Sequence, residues 1–155
     1  MPVIGGRLQK TGQSARAVVM ESRFEDAEDV ISFDIRSAYD APTLQRLDRK
    51  FVYSRANRGT LKVTDRFAFS EPTTFETALL TFGRWYKIGP AALRVADNGK
   101  AVRVIVDTPP GTLLDVASDD IQEDLAARRK ATRIALRIDP PVQVGEMRIE
   151  IVPDP

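Results

Sequence analysis

The chain has 155 residues, 43% hydrophobic and 29% charged, a composition that supports one globular domain and argues against intrinsic disorder. Its 23 basic and 22 acidic residues leave a net charge of +1, whereas a dedicated nucleic-acid binder usually carries a marked basic excess. Cysteine and histidine are both absent, which excludes disulfides, Cys-type zinc sites and histidine general bases. No apolar run approaches the ~20 residues of a membrane span. We therefore expect neither a nucleic-acid partner nor a membrane partner.

Alternation of apolar and polar residues with a period of two predicts a series of short β-strands. The predicted strands lie at 15–22, 30–35, 47–55, 59–69, 74–82, 92–97, 100–107, 112–116, 132–138 and 146–152. Turn signals separate them, above all Asn98-Gly99, the strongest short hairpin signal, and the loop that ends in Gly59. This spacing predicts an all-β fold, an antiparallel β-sandwich of the jelly-roll or supersandwich type, with residues 1–155 forming a single domain.

One helix is predicted, in the stretch 118–130 (SDDIQEDLAARRK). Ser118 can cap its start, acidic residues follow in the first turn, and three basic residues close it, as the helix macrodipole favours. Ile121 and Leu125 lie four residues apart and would share one face. The alternative for this stretch is a loop.

Residues 49–63 (RKFVYSRANRGTLKV) combine basic and aromatic side chains. The stretch lacks the glycines of the RNA-reading strand of an RRM, which disfavours RNA binding. A second interpretation is contact with an acidic sugar polymer, because arginine forks suit carboxylate groups and aromatic rings stack on sugars. The candidate sugar-binding residues are Arg49, Lys50, Tyr53, Arg55, Arg58, Trp85 and Tyr86. A third interpretation makes Phe51 and Tyr53 part of the core and the charged residues part of the solvated surface.

Carboxylate chemistry has little support. Asp65 continues the apolar face of Val63 and Phe67, so we expect it to point inward and to bond to backbone amides or to an arginine. No second carboxylate can be paired with it for glycosidase chemistry. The acidic stretches 25–29 and 118–124 lack the spacing of an EF-hand loop, although calcium binding by such loops remains an alternative. We assign no catalytic residue and no metal ligand.

Four features share their order and spacing with one known family. They are the segment 2–9 (PVIGGRLQ), the segment 34–39 (DIRSAY), the pair Arg49 and Arg55, and the segment 63–67 (VTDRF). In these features the chain resembles the C-terminal β-sheet region of heparinase II/III-like polysaccharide lyases. The corresponding family segments read HN-x-P-x-ING-x-x-Q, x-D-L-x-x-A-Y and V-x-D-x-F, and the family's strand between the last two carries two arginines.

The resemblance covers about residues 2–82 and implies a parent enzyme that cleaves acidic, uronate-containing polysaccharides by β-elimination. In the family, an N-terminal α/α toroid and histidines preceding the ING segment supply catalysis and a metal site. Met1 stands where the family's histidine motif would precede Pro2. We therefore expect the C-terminal portion of a longer lyase, inactive by itself and without a cofactor, whose parent is periplasmic or secreted and holds the metal.

Two other hypotheses remain open. One is a free-standing carbohydrate-binding module that uses the candidate sugar-binding residues. The other is a structural interaction domain with an exposed apolar face that fits the toroid. The module predicts saturable glycan binding, and the structural interaction domain predicts self-association.

Overall fold

A computed structural model describes residues 1–121 and 130–154, and these residues form two antiparallel sheets that confirm the predicted all-β sandwich. The described part contains twelve strands and two short 3₁₀ turns, Arg36–Ala38 and Ala56–Arg58. The strands are β1 Val3–Ile4, β2 Val18–Phe24, β3 Glu28–Asp34, β4 Leu44–Ser54, β5 Thr60–Thr73, β6 Phe75–Thr81, β7 Arg84–Gly89, β8 Ala92–Asp97, β9 Lys100–Asp107, β10 Leu113–Asp120, β11 Thr132–Asp139 and β12 Val142–Asp154.

The two sheets differ in width. The small sheet has the strand order β1-β6-β11-β10, and the large sheet has the order β2-β3-β4-β5-β12-β9-β8-β7. Side chains from both inner faces form one hydrophobic core, as alternation on each strand requires. Phe67 is at its centre, stacked on Phe75 of the small sheet with 4.1 Å between ring centroids.

Turn chemistry sets the register of the predicted hairpins. Asn98 and Gly99 both have positive φ, 49° and 76°, and join β8 to β9 so that Asp97 pairs with Lys100. At the β4–β5 turn, Gly59 has φ 94°, and a Cβ there would lie 2.8 Å from the Tyr53 hydroxyl. Both turns lie where the sequence predicts them.

The predicted helix is wrong at its start. Ser118, Asp119 and Asp120 extend β10 and pair with Ile134, Arg133 and Thr132 of β11. Backbone pairing with β11 therefore wins over the helix-capping tendency of Ser118. The Thr132 hydroxyl also donates a hydrogen bond to the Asp120 carboxylate at 3.1 Å. Residues 122–129 of that prediction lie outside the described residues.

The alternation pattern did not predict two of the strands, β1 and β7. β1 has only two residues, too few to show alternation, and pairs with β6. β7 has the sequence RWYKIG, in which exposed and half-buried residues do not follow a regular apolar pattern. It forms the far edge of the large sheet, where one neighbour is enough to hold it.

The large sheet extends beyond the small one on the side of β2, β3 and β4. Six apolar or aromatic side chains on this part of the inner face are exposed or only half-buried, and we call them the uncovered inner face: Val19, Phe24, Ile31, Phe33, Phe51 and Tyr53. Val19 is 57% exposed and Phe24 is 68% exposed. Phe33 and Phe51 contact each other edge to face at 6.4 Å. An apolar patch of this kind usually marks a contact surface.

Candidate functional site

Arg49 lies in a buried ion pair on the inner face of the large sheet. Its Nε and Nη2 atoms each donate to one oxygen of Asp65 at 2.6 Å, and Nη2 also donates to the Thr77 hydroxyl at 2.7 Å. Asp65 is opposite Arg49 on the neighbouring strand, and its side chain is 1% exposed. The expected arginine partner of Asp65 is confirmed. The contact with Asp65 uses two of the Arg49 nitrogens, and the bond to Thr77 of β6 fixes Arg49 against the small sheet.

A cavity of about 360 Å³ opens beside this pair at the edge of the small sheet. Its walls are mostly apolar and include Phe33, Ile35 and Phe51, with Arg49 and Tyr39 among the polar lining residues. The Tyr39 hydroxyl donates to the Pro2 carbonyl at 3.0 Å. Burial, together with the nearby Asp65 carboxylate and against the Arg49 charge, raises the pKa of Tyr39 to about 12.

Lys50 points to the opposite face of the sheet, which carries paired charges. Its Nζ lies 2.8 Å from Glu21 of β2. Further along the same face, Glu146 accepts hydrogen bonds from both Arg66 and Arg148. Although partial burial opposes it, these two arginines hold the pKa of Glu146 below its usual value. The outer face therefore offers cations that already have acidic partners.

Tyr53, Arg55 and Arg58 lie at the end of the β4–β5 hairpin. The guanidinium carbon of Arg55 is 5.6 Å from the centroid of the Tyr53 ring, which is within cation–π range. Arg55 also donates to Asp29 at 2.6 Å and to the Glu25 carbonyl at 3.0 Å. Arg58 is exposed in the turn at φ 74°. This end of the sheet brings together one half-exposed tyrosine and two arginines.

Trp85 and Tyr86 lie on β7 and face opposite ways. Trp85 packs against the core, whereas Tyr86 is 46% exposed on the outer face. The Tyr86 hydroxyl accepts a hydrogen bond from Arg94 at 2.6 Å, and Arg94 also donates to Asp154. Arg103 reaches the same carboxylate at 2.9 Å. Hydrogen bonds from Arg94 and then Arg103 lower the pKa of Asp154.

The structure thus divides the seven candidate sugar-binding residues among separate places. The hairpin end and β7 are five strand spacings apart in the sheet order, roughly 24 Å. Alternation alone assigns Arg49 and Lys50 to opposite faces, and the sequence prediction grouped them because they are neighbours in the chain. Sequence reasoning missed Tyr39, Arg94 and Asp154, whose partners are distant in sequence and carry no local motif.

The described residues hold no cluster of three or more acidic side chains that could bind a metal ion. Within the same part of the chain, no helix is long and apolar enough to cross a membrane.

Several solved structures with the same fold are heparinases. A heparinase III matches with a TM-score of 0.68 and 16% identity, over 98% of this chain and 23% of its own. The heparan sulfate lyase HepC from Pedobacter heparinus matches with a TM-score of 0.67 and 11% identity, again over 98% and 23%. A heparinase III that is the BT4657 gene product matches with a TM-score of 0.67 and 9% identity, over 97% and 23%.

This chain has the fold of part of a heparinase III. The heparinase-like fold implied by the sequence motifs is confirmed, and the match extends beyond residues 2–82 to nearly the whole chain. At these identities the likeness shows the fold. The chain spans only 23% of the length of the solved structures it matches. No protein-family model matches the sequence, and no curated protein matches it at a significant level.

Proposed function

We propose that this chain is a β-sandwich domain of a polysaccharide lyase that cleaves uronate-containing polysaccharides by β-elimination. The observation that carries the proposal is the heparinase III fold, matched over 98% of the chain. The motif order in residues 2–82 adds independent support, since it resembles the same family.

In this proposal the domain is not catalytic by itself. The chain contains no histidine. The family resemblance implies that the acid–base residues precede the matching segment. Asp65 is held in a two-point contact with Arg49, which leaves it poorly placed to take a proton from a sugar. Catalytic groups and any metal would belong to the rest of the enzyme.

The partner of the domain would be the α/α toroid of the same lyase. The uncovered inner face supports this part of the proposal, because Val19 and Phe24 are more than half exposed although they lie on the apolar side of the sheet. A hydrophobic dye such as anilinonaphthalene sulfonate should bind to this face. Val19→Ser with Phe24→Ser should remove most of the dye signal, whereas Leu113→Ser, at a residue 74% exposed on the other sheet, should not.

Two experiments test the function itself. Incubation of the chain with heparan sulfate or alginate should give no unsaturated uronate product by ultraviolet absorbance. Product formation would contradict the non-catalytic role. In the parent gene, the reading frame upstream of Met1 should encode a helical region followed by a histidine-containing β segment. An unrelated upstream sequence would remove the lyase assignment.

A second candidate function is carbohydrate binding at the hairpin end, favoured by the stacked pair Tyr53 and Arg55 beside exposed Arg58. Binding of heparan sulfate should then be saturable and weaken with added salt. Arg58→Ala with Tyr53→Ala should reduce affinity at least several-fold. Arg137→Ala, at an exposed arginine on the small sheet, is the matched control and should change little. The absence of saturable, salt-sensitive binding would exclude the module.

A further inference from the structure

β2 is a free edge of the large sheet with an unusual composition. All seven of its residues are exposed, four of them are large and apolar, and no proline interrupts the strand. No described strand pairs with its outer side. The opposite edge, β7, instead carries Arg84, Lys87 and Gly89, residues that discourage strand pairing. Of the two edges, β2 therefore offers the better template for another strand.

We propose that β2 pairs antiparallel with β2 of a second copy of this chain, across a two-fold axis at Ser22. The two large sheets then become one continuous sheet, and the interface is isologous, with the same patch contributed by each copy. This inference is independent of the proposed lyase role, because it uses only the edge and its side chains.

Charge complementarity selects this register. With Ser22 opposite Ser22 of the second copy, Glu21 of each strand lies opposite Arg23 of the other, which gives two cross-strand pairs of opposite charge. Shifting the axis to Glu21 sets two glutamates opposite each other, and shifting it to Arg23 sets two arginines opposite each other. A register change of one residue, which moves the axis to a point between two residues, would place inner-face side chains opposite outer-face ones.

The two charged side chains that would pair across the axis lie on the outer face of β2, beside its free edge. Glu21 contacts Lys50 at 2.8 Å and Arg23 contacts Glu28 at 3.0 Å, so both side chains are held on the outer face beside the edge. Each of these side chains is nevertheless 43% exposed and can reach a partner strand. A bulge at Met20, between Val19 and Glu21, interrupts the alternation of β2, so the register rests on Glu21, Ser22 and Arg23 alone.

Sedimentation velocity over a dilution series tests the proposal on the whole chain. The mass should rise from 17.2 kDa towards twice that value as concentration increases. Ser22→Lys places like charges at the axis and should leave the chain monomeric at every concentration. Ile88→Lys puts the same charge on the other edge and should leave the dimer intact. Thermal unfolding confirms that each variant folds.

A charge swap tests the register. Glu21→Arg and Arg23→Glu should each weaken the dimer at least tenfold, and the double variant, which restores opposite charges across the axis, should recover most of it. A wild-type chain that stays monomeric at all concentrations overturns the proposal. So does a dimer that survives Ser22→Lys, one that Ile88→Lys disrupts equally, or a double variant no better than the single ones.

Discussion

Arg49 and Lys50 are neighbours in the chain and opposites in the structure. Arg49 lies on the inner face of the large sheet, 13% exposed, bound through two nitrogens to a buried carboxylate. Lys50 lies on the outer face, 35% exposed, with an exposed glutamate as its partner. The same strand therefore makes one charge part of the core and leaves the other at the surface. Burial, more than charge, should decide what each residue contributes to stability.

The largest expected effect comes from breaking the inner pair. Asp65→Ala leaves the Arg49 guanidinium buried without its counter-charge and should lower the free energy of unfolding by about 3–5 kcal/mol. Urea denaturation measures the change.

The matched control replaces the whole cluster: Arg49→Met, Asp65→Leu and Thr77→Val together. With no unpaired polar group left, this variant should lose far less stability than Asp65→Ala. If the triple variant proves as unstable as the single one, the stability loss comes from disturbed packing and not from an unpaired buried charge.

The second effect is a loss of folding stability at alkaline pH, caused by Tyr39 beside the inner pair. The folded-state pKa of Tyr39, about 12, lies above the ordinary tyrosine value of 10.0, so the folded state favours the neutral phenol. This contribution is fully present below pH 10 and should be lost as pH rises to about 12, by at most about 3 kcal/mol. Urea unfolding at several pH values measures the slope.

Tyr39→Phe is the control for that slope. It cannot ionise, so its stability should fall less steeply between pH 10 and about 12 than that of the wild type. Equal slopes in the two proteins would assign the alkaline loss to other groups.

A third, smaller effect tests how tightly the inner face is packed. A Cβ at Gly145 would lie 2.9 Å from the Phe67 ring and 2.7 Å from Pro109, so Gly145→Ala should cost about 1–3 kcal/mol. Val144→Ala, one residue away and 70% exposed, should change stability by less than about 0.5 kcal/mol. Similar losses in both variants would contradict the close contact.

The smallest effect belongs to the outer face. Lys50→Met removes the pair with Glu21 and should lower stability by no more than about 1 kcal/mol, with a difference that shrinks in high salt. A loss comparable to that of Asp65→Ala would contradict the claim that the inner pair contributes more to stability than the outer pair. Thermal unfolding of both proteins at two salt concentrations measures this difference.

The strands were largely predictable because local alternation records them. β8 and β9, joined at Asn98 and Gly99, follow the pattern closely, since a two-residue turn fixes both ends. The residues around Ser118 were misassigned as a helix start, because a capping signal is local and the β11 partner that overrides it is distant in sequence. β1 was invisible, since two residues carry no period.

The candidate site was less predictable than the fold. Asp65 could be assigned an inward position and an arginine partner from its place among apolar residues, and that assignment is confirmed. Nothing in the sequence shows that Arg94 meets Asp154, sixty residues away. Whether the candidate residues bind sugar stays a prediction.

The all-β class, most strand positions and the turns follow from local sequence, because they depend on side-chain period and on the conformations open to glycine and asparagine. The three-dimensional packing of the two sheets sets which charges are buried, which strands form the edges and where the apolar face is uncovered. Those features depend on the unequal widths of the two sheets and on pairings between distant segments, which no local pattern encodes.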